Sequence, residues 1–432
     1  MEPPCFGLAA AFLTASSATI LARVRDRRSP IQSSVVAVPT LSLGSLFARF
    51  LRFGMLAWGG PVAQIGMLRN ELVDRERWIE SERFNRTLAV YQALPGPEAH
   101  ELCVYFGYLS RGRIGGLLAG LGFMLPGLVL ILGLAWFYVA VGLEEPIVLA
   151  FFAGAQAAVL ALIVRAVHRI GAHALTTRWL AAIAGFALIS GLVELHFALV
   201  LAIAGLSHFA VVAQLRGVAA ALLLVGALAA ISSAVSHPAA SEPAARPPSV
   251  STQQGAEPPE LLAAGLKVGL LTFGGAYTAI PFLEADVADG GWMSRETFLD
   301  GVALAGILPA PLVIFATFVG YVAGGLGGAL AITVGVFAPA FAFTLVGHRY
   351  LERIVAMSGV HAVLDGIAAA VVGLIAATTV VLVPVVVGSW ASLAIAIASL
   401  ASLYLWRPRW IVAVVVLAAG MLGIVAAATG VL

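Results

Sequence analysis

Apolar positions gather into long blocks bounded by charged or turn residues. The blocks fall near 44–68, 84–110, 114–141, 146–167, 179–194, 196–213 and 217–235, then near 261–283, 297–322, 326–347, 360–387, 388–406 and 409–431. A block of about 20 apolar residues crosses a bilayer as a helix, because hydrocarbon offers the backbone no partner but itself. The pattern therefore predicts an all-α polytopic membrane protein. Residues 236–260, rich in Pro, Ala, Ser and Gln, cannot build a core and read as a flexible linker. The expected organisation is an N-terminal extension over 1–43, a first half over 44–235, the linker over 236–260 and a second half over 261–432. In the extension, the apolar run Cys5 to Ala22 is followed by Arg23, Arg25, Arg27 and Arg28, with no basic residue before it. That order does not fit a signal peptide, and it leaves open a membrane anchor or an appended tail.

Composition mainly excludes alternatives. Of 432 residues 61% are hydrophobic and 11% charged, a balance that makes lipid the solvent, and a net charge of +2 implies no nucleic-acid surface. Cys5 and Cys103 have no CxxC or Cys/His spacing around them, so neither a disulfide framework nor a metal site is expected. No HExxH, nucleotide-binding loop or Ser/His constellation stands out, so the chain reads as a transporter without a cofactor rather than an enzyme. Assembly as a homodimer is left open.

Laid side by side, the halves match. Trp58-Gly59-Gly60 falls on Phe273-Gly274-Gly275, Trp78 on Trp292, Leu94-Pro95 and Pro97 on Leu308-Pro309 and Pro311, Gly107 on Gly320, and Pro126 on Pro339. Ordered Gly, Trp and Pro matches point to duplication. Loop 69–83 carries Arg69, Arg75, Arg77 and Arg83, whereas 284–296 has Arg295 against four acids. Since Lys and Arg favour the cytoplasmic side, the halves are expected to be inverted. Treating 44–68 and 84–110 as broken segments that enter and return on one side also puts Arg111, Arg113, the 165–178 cluster and Arg216 inside.

Gly59-Gly60-Pro61 and Pro95-Gly96-Pro97 read as unwound backbone followed by a new helix start, and Gly274-Gly275 and Pro309-Ala310-Pro311 offer two more. Helix N-termini exposed at membrane depth suit an anion, although Gly and Pro also simply kink packed helices. A helix terminus contributes at most about 2 kcal/mol, so a dianion also needs full charges. Arg52 and Lys267 each lie seven residues ahead of their Gly-Gly pair, and either binding or snorkelling to the headgroups fits them. Glu98, His100 and Glu101 follow the first Pro-x-Pro as a candidate proton relay, with helix capping by Glu98 as the alternative. Asp300 and Asp365 fall in apolar surroundings, Asp365 beside Gly366 as a helix start, and His196, His208, His348 and His361 read as interfacial.

At these residues the chain resembles the chromate transporter (CHR) family in its long, two-domain form. The resemblance runs through Phe53-Gly54, Trp58-Gly59-Gly60-Pro61, Glu71-Leu72-Val73, Trp78, Gln92, Leu94-Pro95-Gly96-Pro97-Glu98-Ala99, Gly107 and Leu125-Pro126-Gly127. The second half joins through Trp292, Phe298, Leu308-Pro309-Ala310-Pro311 and Gly320-Tyr321. It implies a carrier of the bacterial plasma (inner) membrane that exports chromate, with sulfate as the look-alike oxyanion and the proton gradient as energy source. A sulfate or oxyanion uptake carrier or a passive anion channel is the alternative, and in the carrier reading the halves rock against each other around a site between them. The expected substrate contacts are Arg52, Gly59, Gly60, Pro61, Gln64, Gln92, Pro95, Gly96, Pro97, Lys267, Gly274, Gly275, Pro309 and Pro311. Gln64 stands where the family usually shows His, Glu101 where Gln is common, and Gly306 where the second half often has Gln. Gln64 offers amide donors but cannot titrate.

Overall fold

The computed structural model describes residues 38–141, 145–236, 255–272, 276–347, 357–406, 408 and 410–431, all helix, turn or irregular with no strand among them. Phe273, Gly274 and Gly275, most of the N-terminal extension and most of the linker lie outside the described residues. The first half comprises α1 (Leu43–Met55), α2 (Gly60–Leu68), α3 (Ser81–Ala93), α4 (Glu98–Val141), α5 (Pro146–Ala174), α6 (Arg178–Leu192), α7 (Phe197–Val212) and α8 (Arg216–Ser236). The second comprises α9 (Pro258–Leu271), α10 (Ala279–Gly290), α11 (Arg295–Gly306), α12 (Phe315–Ala342), α13 (Ser358–Val386), α14 (Trp390–Leu405) and α15 (Ile411–Ala428). Five of the described helical segments are long and apolar enough to cross a membrane: those starting at Glu98, Pro146, Leu312, Gly359 and Ile411. Apolar side chains such as Leu117, Leu121, Leu125 and Val129 stand exposed at helical spacing along α4, as they do on a lipid-facing stripe. The chain is a multi-pass, all-α membrane protein.

Duplication reaches down to backbone torsions. Within α4, Arg111 (φ −141°, ψ 27°) and Gly112 (φ 61°, ψ −150°) interrupt the helix, and within α12, Gly324 (φ −145°, ψ 21°) and Gly325 (φ 62°, ψ −156°) do the same. The positive φ at Gly112 and Gly325 is open to glycine and strained for other residues. The chain reverses there, since Gly107 abuts Gly115 and Ala119, and Gly320 abuts Gly328 and Ile332. Each long helix is thus a tight helical hairpin, with arms 98–110 and 113–141 in α4 and 315–323 and 326–342 in α12.

The arms order the rest. Helix α1 lies on arm 113–141, with Gly122 against Phe47 and Leu51 and Gly54 against Phe123 and Pro126. Helix α9 repeats this on arm 326–342, with Gly335 against Leu262 and Leu266 and Gly269 against Val336 and Pro339. Lipid supplies no hydrophobic drive between helices, so close backbone approach at such glycines holds the pairs. Past its break the chain turns back: Glu76 pairs with Arg49 of α1, and Asp286 with Lys267 of α9. Helix α3 likewise descends beside arm 98–110, Arg83 donating to the Tyr105 hydroxyl at 3.1 Å and Phe84 stacking on Phe106 at 6.4 Å. The broken segments therefore fold back as helical hairpins, and in the second half Phe298 of α11 packs on Phe315 of α12 at 5.6 Å in the same way. The two units pack antiparallel, because Gly116 meets Leu345 while Gly120 meets Phe341, an arrangement compatible with inverted repeats.

The halves are not separable bodies. Gly154 of α5 packs on Ala419 and Gly423 of α15, and Gly366 of α13 packs on Ala204 and His208 of α7. Gly373 of α13 also meets Ala184 and Leu188 of α6. Each half thus inserts one long helix into the other, so rocking of one sequence half against the other is not the motion this packing favours. Arg165 and Arg169 lie within α5, which runs on past the apolar block to Ala174. Two smaller readings change. Asp365 sits within α13, ion-paired to His361 at 3.8 Å, rather than at a helix start. His208 is buried and bonded to the Ala362 carbonyl at 2.8 Å, pinning α7 to α13, rather than interfacial.

Substituting Val at Gly54 or Gly269 should destabilise the protein by about 1–3 kcal/mol through overpacking, seen as a lower thermal unfolding midpoint in detergent. Ala at Gly44 or Gly133, where a Cβ meets nothing within 4 Å, should leave the midpoint near wild type.

Candidate functional site

Three breaks in helical structure, and the described flanks of a fourth, come together across the two halves. In the first, Gly59 (φ 88°) and Gly60 (φ 77°) reverse the chain and Pro61 opens α2. In the second, Gly96 (φ 149°) separates Pro95 from Pro97 and α4 begins at Glu98. The third follows Thr272 at the end of α9 and resumes with a single 3₁₀ turn, Ala276–Thr278. In the fourth, Pro309-Ala310-Pro311 precedes a 3₁₀ turn, Leu312–Ile314, that leads into α12.

Backbone unwound at membrane depth must find partners within the protein, and here each half supplies the other's. The Gly96 amide donates to the Thr272 carbonyl at 2.7 Å. The Gln64 amide donates to the Ala57 carbonyl at 2.9 Å and to the Ala310 carbonyl at 3.1 Å. Gly127 of α4 lies against Ala310. Gln64 is thus a tie between the first and fourth breaks, its two amide hydrogens already committed.

Beside this junction lies a buried polar cluster. Glu98, His100 and Glu101 are 4%, 0% and 0% exposed. The His100 ring is enclosed edge-on by Phe337 and Phe341 of α12, centroids 4.9 and 4.8 Å away. The Glu101 carboxyl folds back on the second break: a Cβ on Gly96 would lie 2.9 Å from Oε1. Gln64 Oε1, Glu98 Oε2, both His100 nitrogens and both Glu101 oxygens have no hydrogen-bond partner. A buried unpaired polar group costs about 1–3 kcal/mol, so this concentration marks a place built to meet something else. Among the described residues no group of three His, Cys, Asp or Glu is placed to hold a metal ion.

The cations predicted as a matched pair differ. Lys267 is engaged by Asp286 and sits 4.7 Å from the Phe197 ring centroid. Arg52 is exposed and lines an open cleft of about 570 Å³ with Trp58, Asn70, Glu71 and Trp410. Pro95, Gly96, Pro97, Pro309 and Pro311 are buried at the junction, Gly59, Gly60 and Pro61 are half-buried, and Gln92 is exposed near the end of α3. Gly274 and Gly275 fall outside the described residues.

One buried constellation escaped the sequence reading. Asp300 of α11, 3% exposed, accepts from the Tyr138 hydroxyl at 2.7 Å and the Gln156 amide at 2.8 Å. It anchors the re-entrant α11, and hence the fourth break, to α4 and α5. An acid in an apolar block was the available signal; its partners lie far away in sequence.

Re-entrant hairpins meeting at a buried, incompletely bonded centre define a membrane transport protein. The chromate transporter family matches residues 44–231 and 259–424, and the chain belongs to that family. It is 54% identical over 389 residues to a chromate transport protein of Pseudomonas aeruginosa, covering 89% of this chain and 92% of that one. It is 31% identical over 355 residues to a chromate transport protein of Cupriavidus metallidurans, covering 81% and 84%. No solved structure matches the chain significantly.

Gln64→Leu should leave the Ala57 and Ala310 carbonyls without their donor and lower stability by about 1–3 kcal/mol, read as a drop in the denaturant or thermal midpoint of the purified protein.

Proposed function

We propose that the protein is a secondary active transporter exporting chromate or a related tetrahedral oxyanion across the bacterial plasma (inner) membrane, with the proton gradient as its energy source. The observation that carries this reading is the junction itself: four interrupted helices, tied across the halves, around buried polar atoms that lack partners. Membership of the chromate transporter family and the names of its relatives support chromate; sulfate shares its shape and charge. The protein moves its substrate and does not convert it.

The α2 and α4 N-termini present backbone positive ends at the breaks, each contributing up to about 2 kcal/mol. Arg52 supplies a full charge in the cleft on the flank of the first hairpin and draws the anion toward it. Glu98, His100 and Glu101 carry the proton coupling. The two chromate-transporter-like halves, on either side of the linker, lie inverted in the membrane. The interlocked α5 and α13 serve as the frame, and alternating access comes from movement of the re-entrant units, α1–α4 and α9–α12, against it.

Purified protein in liposomes should move radiolabelled chromate or sulfate against a concentration gradient when an ion gradient is imposed; purely passive flux would exclude the carrier reading in favour of an anion channel. Arg52→Gln should raise KM about tenfold, the loss of one charge-assisted contact of about 1.5 kcal/mol. Lys267→Gln should act mainly on stability, because it leaves Asp286 without its cation. An unchanged KM in Arg52→Gln would remove Arg52 from the substrate path.

A further inference from the structure

We propose that Glu101 carries a proton that hydrogen-bonds to the transported anion, so that one proton and one oxyanion occupy the junction together and cross in the same direction. This rests on the oxyanion-carrier reading and fixes the sense of its coupling.

Side-chain donors at the junction are spent, and the backbone amides left at the α2 and α4 starts carry no proton that could travel with an anion. At the junction the Gly96 amide is taken by Thr272, and both Gln64 amide hydrogens are taken by Ala57 and Ala310. What remains unbonded is Gln64 Oε1, Glu98 Oε2, the two Glu101 oxygens and the His100 nitrogens. Apart from the one N–H of a neutral imidazole, these are acceptors. A fully deprotonated tetrahedral oxyanion also offers only acceptors. Beyond those amides the anion meets only side-chain acceptors, and two carboxylates repel a dianion. A proton on Glu101 removes both obstacles at once: its charge disappears, and the new O–H donates to an anion oxygen.

Position singles out Glu101. Both its oxygens are unpartnered and its carboxyl lies against Gly96 in the break, whereas Glu98 has one such oxygen and stands in the first turn of α4. Glu98, three residues earlier on α4, is the carboxyl nearest to Glu101 in sequence. Cations on the packed helices are occupied or outward: Arg49 pairs with Glu76, Arg83 donates to Tyr105, Arg86 pairs with Glu82, and Arg52 opens to the cleft. Asp300 is held by Tyr138 and Gln156, Arg111 donates to the Leu41 carbonyl, Arg113 is exposed, and Tyr91 of α3, Cys103 and Tyr108 of α4 and Tyr321 of α12 are further titratable groups on the helices beside Glu101. From α12 the side chains packed on His100 are Phe337 and Phe341.

The one bond made and broken is the O–H of the Glu101 carboxyl. The Glu101 carboxylate takes a proton from the loading side, holds it while the anion is bound, and releases both on the other side. A dianion accompanied by one proton keeps a net negative charge, so an inside-negative potential still drives it outward. Export with a co-moving proton thus draws on the electrical part of the proton gradient, while the pH part opposes it.

The test uses the full chain in liposomes, with equal sulfate on both sides, the membrane potential clamped at zero and a one-unit pH difference. Wild type should accumulate sulfate on the alkaline side, about tenfold at equilibrium for one proton per anion. Glu101→Gln, whose amide donates without titrating, should abolish the accumulation, and any sulfate flux that persists should not respond to the pH difference. Accumulation on the acidic side, or none in wild type, would overturn the inference while leaving an oxyanion carrier. So would accumulation that survives in Glu101→Gln and disappears in His100→Gln. Absence of any protein-dependent flux of sulfate or chromate would remove the carrier reading as well.

Discussion

A chain that leaves the helical conformation inside a membrane must return every exposed N–H and C=O to a partner, since lipid offers none. Here that requirement is met across the duplication: the Gly96 amide reaches Thr272, and Gln64 bridges Ala57 and Ala310. A break in one half is therefore stable only in the presence of the other half. The exchange of α5 and α13 between the halves, through glycine contacts at Gly154 and Gly366, holds the two sets of hairpins in the register those bonds need.

Once both halves are locked together, the differences between them acquire meaning. The first carries Glu98, His100 and Glu101 where the second has Leu312, Ile314 and Phe315. Lys267 is tied to Asp286, whereas Arg52 opens to a cleft. The second half instead contributes the Asp300 anchor, held by Tyr138 and Gln156. One half supplies titratable groups and the accessible cation; the other supplies a braced wall against which they work.

Much of this was legible in the chain. Gly59-Gly60-Pro61 and Pro95-Gly96-Pro97 announced breaks because glycine and proline act locally on the backbone, and helical reversal between Arg49 and Glu76 follows from treating them as re-entrant. The hairpin turn at Gly112 was hidden in a run that reads as one helix, since an apolar block does not reveal where it folds back. Gln64 was read as a donor for substrate, but its partner Ala310 lies 246 residues away and takes that donor. Asp300 and Tyr138, 162 residues apart, and the pairing that neutralises Lys267 escaped for the same reason: which charge meets which is decided by packing between hairpins, not by local pattern.

The central claim is that an anion binds where the four breaks meet, contacted from both halves. A structure of the protein with bound selenate, located by its anomalous signal, tests it most directly. The account predicts the anion at the junction of Gly96, Gln64, Glu101 and Pro309-Ala310-Pro311; selenate confined to the Arg52 cleft, or contacted by one half alone, would contradict it.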